Sequence, residues 1–309
     1  MRLPERQSKY LDAWRGGSAI AVLVGHSFEI FQVNPSPVWS AAATGAVMVF
    51  FVLSGFLIRR SLDSCMAKHD PARFVAARVN RIVAPFLFSI ALTVLLWAIA
   101  PLVFASGSRA FAVPTARTEF SLQYLPSTLL FVNGFFGGTL SANGPLWSLS
   151  CEVWYYALAL LLTLKRWRWL GIFVAAVLTW RSIGFAILGS IWALGFFLPK
   201  MPKWLMLVPV MGLAIFLLNP TSEAALYAWE VSAGIGFAAH LANLPEDPPM
   251  TWIHPTATSS YTLYVIHFPL LLFAYGIIGA NWLMPFAILG LAALIGPHIE
   301  KIKVIRPTV

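Results

Sequence analysis

Read as apolar and polar positions, the chain is a succession of long hydrophobic runs broken by short polar joints. A helix needs about 20 mainly apolar residues to cross a bilayer. Runs of that order fall at 11–32, 40–58, 82–104, 145–164, 167–180, 183–199, 204–218, 224–242, 259–279 and 281–298. The pattern predicts ten transmembrane helices, with 167–180 and 204–218 the shortest. The stretch 121–136, "SLQYLPSTLLFVNGFF", is also apolar, but Pro126 interrupts it, so it reads as a re-entrant or interfacial piece. No internal repeat or low-complexity run is present, and the longest joint, 105–144, is too short for a soluble domain. The expected architecture is all-α, a single integral membrane domain over residues 1–309.

Composition supports this. Hydrophobic residues make up 59% and charged residues only 11%, against about 25% charged in a soluble domain. The net charge of +9 does not indicate nucleic acid, because basic residues orient membrane proteins by staying on the cytoplasmic side. With ten crossings and a cytoplasmic start, 18 of the 21 Lys and Arg fall inside, leaving Arg109, Arg117 and Arg181 outside. Both termini are therefore expected in the cytoplasm. The polar start and first apolar run resemble a signal peptide, but an apolar region holding His26 and Glu29 suits an uncleaved first span. Cys65 and Cys151 lie in different segments, and no Cys/His spacing suggests a metal.

Ionisable groups inside spans are costly and mark functional candidates. The first span, "DAWRGGSAIAVLVGHSFEIF", carries Asp12, Arg15, His26 and Glu29. Arg15 and His26 are eleven positions apart, three turns, so they share a face about 16 Å apart. Asp12 and Glu29 extend that stripe by i,i+3 steps. A histidine with a carboxylate one turn away has the parts of a general base and an orienting partner; a buried histidine serving helix packing fits the spacing as well. Glu29, Glu152 and Glu230 are all expected in the outer half of the membrane.

Four further features carry candidate chemistry. The first inside joint clusters Arg59, Arg60, Lys68, Arg73, Arg78 and Arg81 against only Asp63 and Asp70. Arginine forks match phosphate oxygens in pairs, and Arg78 and Arg81 can face one anion, although topology and contact with anionic lipid headgroups would require the same charges. In "NGPLWSLSCEVWYYAL", Trp147, Trp154, Tyr155 and Tyr156 read as an interfacial belt, which leaves Glu152 unexplained and a glycan site open. In "SSYTLYVIHFPLLL", Pro269 frees a backbone carbonyl and bends the span; His267 reads first as the group that satisfies it. Ser54 and Gly55 sit mid-span, where small residues allow close helix packing.

Together and in this order, these stretches resemble the acyltransferase 3 family of integral membrane O-acyltransferases. "YLDAWRGGSAIAVLVGHSF" is similar to its opening motif, with Arg15 and His26 separated by ten residues. "VFFVLSGFLI" resembles its second span, and "RVNRI" carries its arginine pair at Arg78 and Arg81. "PLWSLSCEVWYY" and "SSYTLYVIHFPLL" are similar to two later segments. "IEKIKVIRP" departs from the family's terminal Glu-Lys-Pro, with Ile302 at the proline's place.

The resemblance implies acyl transfer, acetyl foremost, from cytoplasmic acyl-CoA to a hydroxyl of an extracytoplasmic or lipid-linked glycan. It implies a bacterial inner membrane location and no metal. His26 is then the base, with Glu29 orienting it and Glu152 a further catalytic candidate. Donor phosphates would rest on Arg15, Arg78 and Arg81 with Arg59 or Arg60, and Trp147, Tyr155, Tyr156, Ser54 and His267 would line the acceptor side. An oxyanion donor is required, with Tyr155 and Ser54 as candidates. An acyl-enzyme on Ser54 or Cys151 has no base placed beside it by the sequence. Two alternatives stand: a transporter or flippase, against which no pseudo-symmetric halves appear, and an acyltransferase acting on a non-glycan small molecule.

Overall fold

The computed structural model describes residues 3–31, 36–113, 116–249 and 251–305, with side chains left aside at 112–118 and 251–253. Gln32 of the first predicted span, Arg306 and Pro307 of the terminal motif, and the side chain of Arg117 lie outside the described residues. Among the described residues the chain forms eleven α-helices: α1 (Glu5–Phe31), α2 (Pro37–Met66), α3 (Pro71–Val103), α4 (Leu125–Leu129), α5 (Leu146–Thr163), α6 (Arg168–Arg181), α7 (Ile183–Phe197), α8 (Val208–Leu218), α9 (Glu223–Ala242), α10 (Ser260–Ile278) and α11 (Leu283–Ile299).

Ten of these coincide with the ten apolar runs, and α4 is a single turn inside 121–136. Helix starts follow local chemistry. Asp70 accepts a hydrogen bond from the Arg73 N–H at 2.8 Å, and Pro71 occupies the first helical position, where no N–H is needed. Ser36 and Pro37 open α2 in the same way. The long joint contains a feature that the apolar pattern does not predict, an antiparallel hairpin of β1 (Ala110–Val113) and β2 (Ala116–Glu119).

Among the described residues four helical stretches are long and apolar enough to cross a bilayer: 37–66, 71–103, 146–163 and 254–278. The last joins α10 to the 3-10 turn before it. The chain is an all-α integral membrane protein. The helices that position the site are α1, α2, α3, α5 and α10, and α2 is packed between α1, α7 and α9. On α6 only Gly171 and Leu178 are buried, and on α8 only Gly212 and Phe216. Such helices, apolar on every side and mostly uncovered, suit a lipid surround.

Two close approaches fix the register that matters for the site. A Cβ at Gly25 would meet Ala43 at 2.6 Å and the Trp39 carbonyl at 2.9 Å, so the His26 end of α1 lies against the start of α2. Ser54 is eleven residues along α2 from Ala43, about 16 Å, and so comes level with Arg15. At Gly55 a Cβ would sit 2.1 Å from the Trp192 carbonyl, and at Gly195 one would sit 2.0 Å from that of Val52. The backbones of α2 and α7 touch there, as the small residues at mid-span predict.

Candidate functional site

Two polar centres lie about 16 Å apart along α1. The first is a cavity of about 320 Å³ between α1, α2, α3, α5 and α10. Its apolar wall is Val47, Phe50, Phe51, Leu53, Leu57 and Ile58 of α2, and its polar wall includes Arg15, Arg78, Arg81, Ser54, Glu152 and Tyr156. Arg15 is held by Asp12 at 2.9 Å, the i,i+3 pair expected on the first span. The Arg78 guanidinium lies 5.8 Å from the ring centres of both Phe74 and Tyr156, and Arg81 lies 5.9 Å from that of Tyr261. Two buried donors in this wall, Arg78 Nε and the Tyr261 hydroxyl, have no hydrogen-bond partner among the described residues. Buried donors left without acceptors are expensive, and three guanidiniums around one void favour an anion rich in acceptor oxygens.

A carboxylate cluster occupies the same cavity. Ser54 Oγ donates to Glu152 Oε1 at 2.8 Å, the Tyr156 hydroxyl also donates to Glu152, and Trp192 Nε1 donates to Ser54 Oγ at 3.3 Å. Glu152 is therefore not in the half of the molecule that holds Glu29, which corrects the expectation from the ten-run count. The reason is the depth at which α5 begins. Asn143, fully buried, donates to Ser89 Oγ at 2.8 Å in the middle of α3. The chain is thus already deep when α5 starts. Nine residues further, about 13 Å, Glu152 comes level with Arg81, which is eight residues before Ser89. The cluster also supplies what the sequence could not, a carboxylate beside Ser54.

The second centre is a histidine pair. His26 Nδ1 lies 2.8 Å from His267 Nε2, with the rings 6° from parallel. His267 is fully buried on α10, and its Nδ1 lies 2.8 Å from the Tyr264 carbonyl oxygen and 3.2 Å from that of Leu263. Glu29 stands on the other side of the ring, its Oε2 3.9 Å from His26 Nε2. The partner holding His26 is thus His267, not Glu29, because the imidazole turns its Nδ1 edge toward α10. Nor does His267 satisfy the carbonyl freed by Pro269. That carbonyl, of Val265, accepts from Ser89 Oγ at 2.7 Å and from Asn143 Nδ2 at 3.1 Å.

Other candidates fall elsewhere. The Tyr155 hydroxyl donates to the Phe185 carbonyl at 2.6 Å, its ring packing on Phe51 and Trp192, so it serves the contact with α7 rather than the cavity. Trp147 is exposed and outside the cavity wall, and, four residues on from the buried Asn143, it lies deeper than an outer interfacial belt would stand. Arg59 pairs with Asp63 at 2.8 Å and Arg60 lies over Phe56; neither lines the cavity. Glu230 is buried on α9 and does not line the cavity. Among the described residues no cluster suited to a metal is present.

Residues of the cavity wall that sequence reasoning missed include Ser148, Ser260, Tyr261 and Tyr264. A signal was available for two of them, since Ser260, Tyr264 and His267 recur at the i,i+4,i+7 spacing of one helix face. Next in the chain to Tyr261 of the cavity wall, the Thr262 N–H donates to Glu300 at 2.9 Å. Burial pushes the Glu300 carboxyl up, while the Thr262 N–H and the Arg81 guanidinium oppose that shift.

A family model described as an acyltransferase domain, Acyl_transf_3, matches residues 8–245. No curated protein and no solved structure matches the chain. The matched span includes Arg15, His26, Ser54, the Arg78/Arg81 pair and Glu152, while His267 lies beyond it.

Proposed function

The chain belongs to the acyltransferase 3 family, and on that premise we propose that it moves an acyl group, acetyl foremost, from cytoplasmic acyl-CoA to a hydroxyl of an extracytoplasmic or lipid-linked glycan. The observation that carries this reading is the pairing of the two centres: an arginine-walled cavity with two orphaned donors, and a histidine three turns further along the same helix. In this reading residues 1–309 are one domain that crosses a bacterial inner membrane ten times, with both ends in the cytoplasm.

The donor's phosphates rest on Arg15, Arg78 and Arg81, whose forked donors suit phosphate oxygens. The pantetheine arm runs from there along α1, and its extended length is of the order of the 16 Å that separate Arg15 from His26. At the far end His26 takes the proton of the acceptor hydroxyl as its oxygen attacks the thioester carbonyl. The tetrahedral intermediate collapses with cleavage of the C–S bond, and the imidazolium returns its proton to the leaving thiolate. General-base assistance of this kind contributes about 10²–10⁴-fold. Ser54, Glu152 and Tyr156 belong with the donor in this scheme, because they share the cavity of the arginines, and Glu29 faces the acceptor.

The test uses purified protein in lipid, radiolabelled acetyl-CoA and a crude cell-surface glycan fraction, with wild type and His26→Ala run side by side. The expected result is label in the glycan with wild type alone. Equal transfer by the two would sink the assignment of His26, and equal absence of both transfer and acetyl-CoA binding would sink the donor.

A further inference from the structure

We infer that His267 is a positioning residue that fixes which nitrogen of His26 carries the proton, leaving Nε2 bare to act as the base. The inference rests on the acyl-transfer reading for its purpose, but its geometry stands apart from that reading. Carbonyl oxygens only accept hydrogen bonds. With the Tyr264 carbonyl 2.8 Å away and that of Leu263 at 3.2 Å, His267 Nδ1 must be the N–H nitrogen. In a neutral ring the other nitrogen, Nε2, is then an acceptor. It faces His26 Nδ1 at 2.8 Å, so His26 must donate from Nδ1. The lone pair of His26 is thereby placed on Nε2, on the side of the ring where Glu29 stands at 3.9 Å.

That arrangement opposes what Glu29 alone would do. A carboxylate one turn along the same helix is an acceptor, and without a competitor it would draw the imidazole proton to Nε2. The ring would then present an N–H to the acceptor hydroxyl and could not remove its proton. His267 wins because its contact is 2.8 Å and comes from a fully buried ring anchored to backbone, while the Glu29 contact is longer and more exposed. The 3.9 Å gap is too long for a direct hydrogen bond and leaves the Nε2 lone pair available to an acceptor hydroxyl. When that proton arrives, the His26 Nδ1–H bond to His267 is strengthened by the positive charge, so the same contact stabilises the imidazolium. A hydrogen-bond partner of this type sets tautomer and orientation in triad enzymes, where the wrong tautomer costs about 10⁴-fold in kcat.

The experiment uses the full chain in lipid, labelled with [15N]histidine, and solid-state NMR to distinguish protonated from bare ring nitrogens. Subtracting the His26→Ala spectrum assigns His26. The expected spectrum has the His26 proton on Nδ1 with a coupling across the hydrogen bond to His267, and in His267→Leu the proton moves to Nε2. In the acetyl-transfer assay His267→Leu should lose about 10²–10⁴-fold in kcat with the KM for acetyl-CoA unchanged. His267→Gln, whose amide oxygen can accept from Nδ1–H, should recover most of that loss. A wild-type His26 protonated on Nε2 would overturn the inference. So would a His267→Leu variant that transfers at the wild-type rate while His26→Ala does not, or a Gln variant that falls as far as Leu. Absence of transfer by wild type would count against the acyl-transfer reading alone, and the nitrogen spectrum would still decide the tautomer.

Discussion

Pro269 withholds the N–H that would otherwise close on the Val265 carbonyl of α10, and the two side chains that take its place make a quantitative prediction. Ser89 Oγ donates to that carbonyl at 2.7 Å, and Asn143 Nδ2 donates both to it at 3.1 Å and to Ser89 Oγ at 2.8 Å. All three groups are buried. Side-chain hydrogen bonds between membrane helices contribute about 0.6 kcal/mol on average and up to about 1.7 kcal/mol. Ser89→Ala removes one donor and leaves Asn143 on the carbonyl; Asn143→Leu, of similar shape, leaves Ser89. Each single variant should therefore cost about 1 kcal/mol. The double variant orphans the carbonyl, which costs about 1–3 kcal/mol beyond the bonds themselves. Its loss should exceed the sum of the singles by about 1 kcal/mol or more, a coupling well above the scatter of independent sites.

The control that isolates the cause is Pro269→Ala. An alanine N–H at position 269 can bond the Val265 carbonyl within the helix, so adding it to the double variant should restore most of the lost stability. The assay is folded fraction against SDS in mixed micelles, read by tryptophan fluorescence for the four proteins and the triple variant. Strict additivity, or a triple variant no more stable than the double, would refute the account of Pro269 and of why Asn143 is buried.

Two further outcomes follow from the cavity and the α2–α7 contact. Arg78→Ala should raise the KM for acetyl-CoA about tenfold or more with a smaller change in kcat, since a forked contact to phosphate is lost; an unchanged KM would return that arginine to a topological role. Gly55→Ala should destabilise the protein by about 1–3 kcal/mol, because its Cβ would meet the Trp192 carbonyl at 2.1 Å and the backbones must part; a variant as stable as wild type in the same SDS titration would contradict the close contact.

Helix positions were legible because burial in lipid imposes one requirement, length of apolar run, that a sequence displays directly. Polar partners were not legible to the same degree, for two physical reasons. Helix periodicity reports neighbours on one helix, so it pairs His26 with Glu29, three residues on; the contact that holds the ring comes from His267, 241 positions away on α10. Hydropathy reports where a segment becomes apolar, not how deep the preceding chain already lies. Residues 121–144 dip inward and Asn143 docks on Ser89, so α5 starts part-way down and carries Glu152 to the level of the arginines rather than of Glu29. Both failures concern the same property, the relative depth of groups on different helices, and both assigned Glu29 or Glu152 to a centre it does not complete. What survives is the part of the stripe carried by one helix. Arg15 and His26 sit on α1, where the rise per residue alone fixes their separation. The proposed mechanism needs that distance to match the donor's arm. A one-residue insertion in α1 between Gly17 and Gly25 would rotate His26 by about 100° away from His267 while leaving the three arginines in place, and so separates acyl-CoA binding, which should persist, from transfer, which should not.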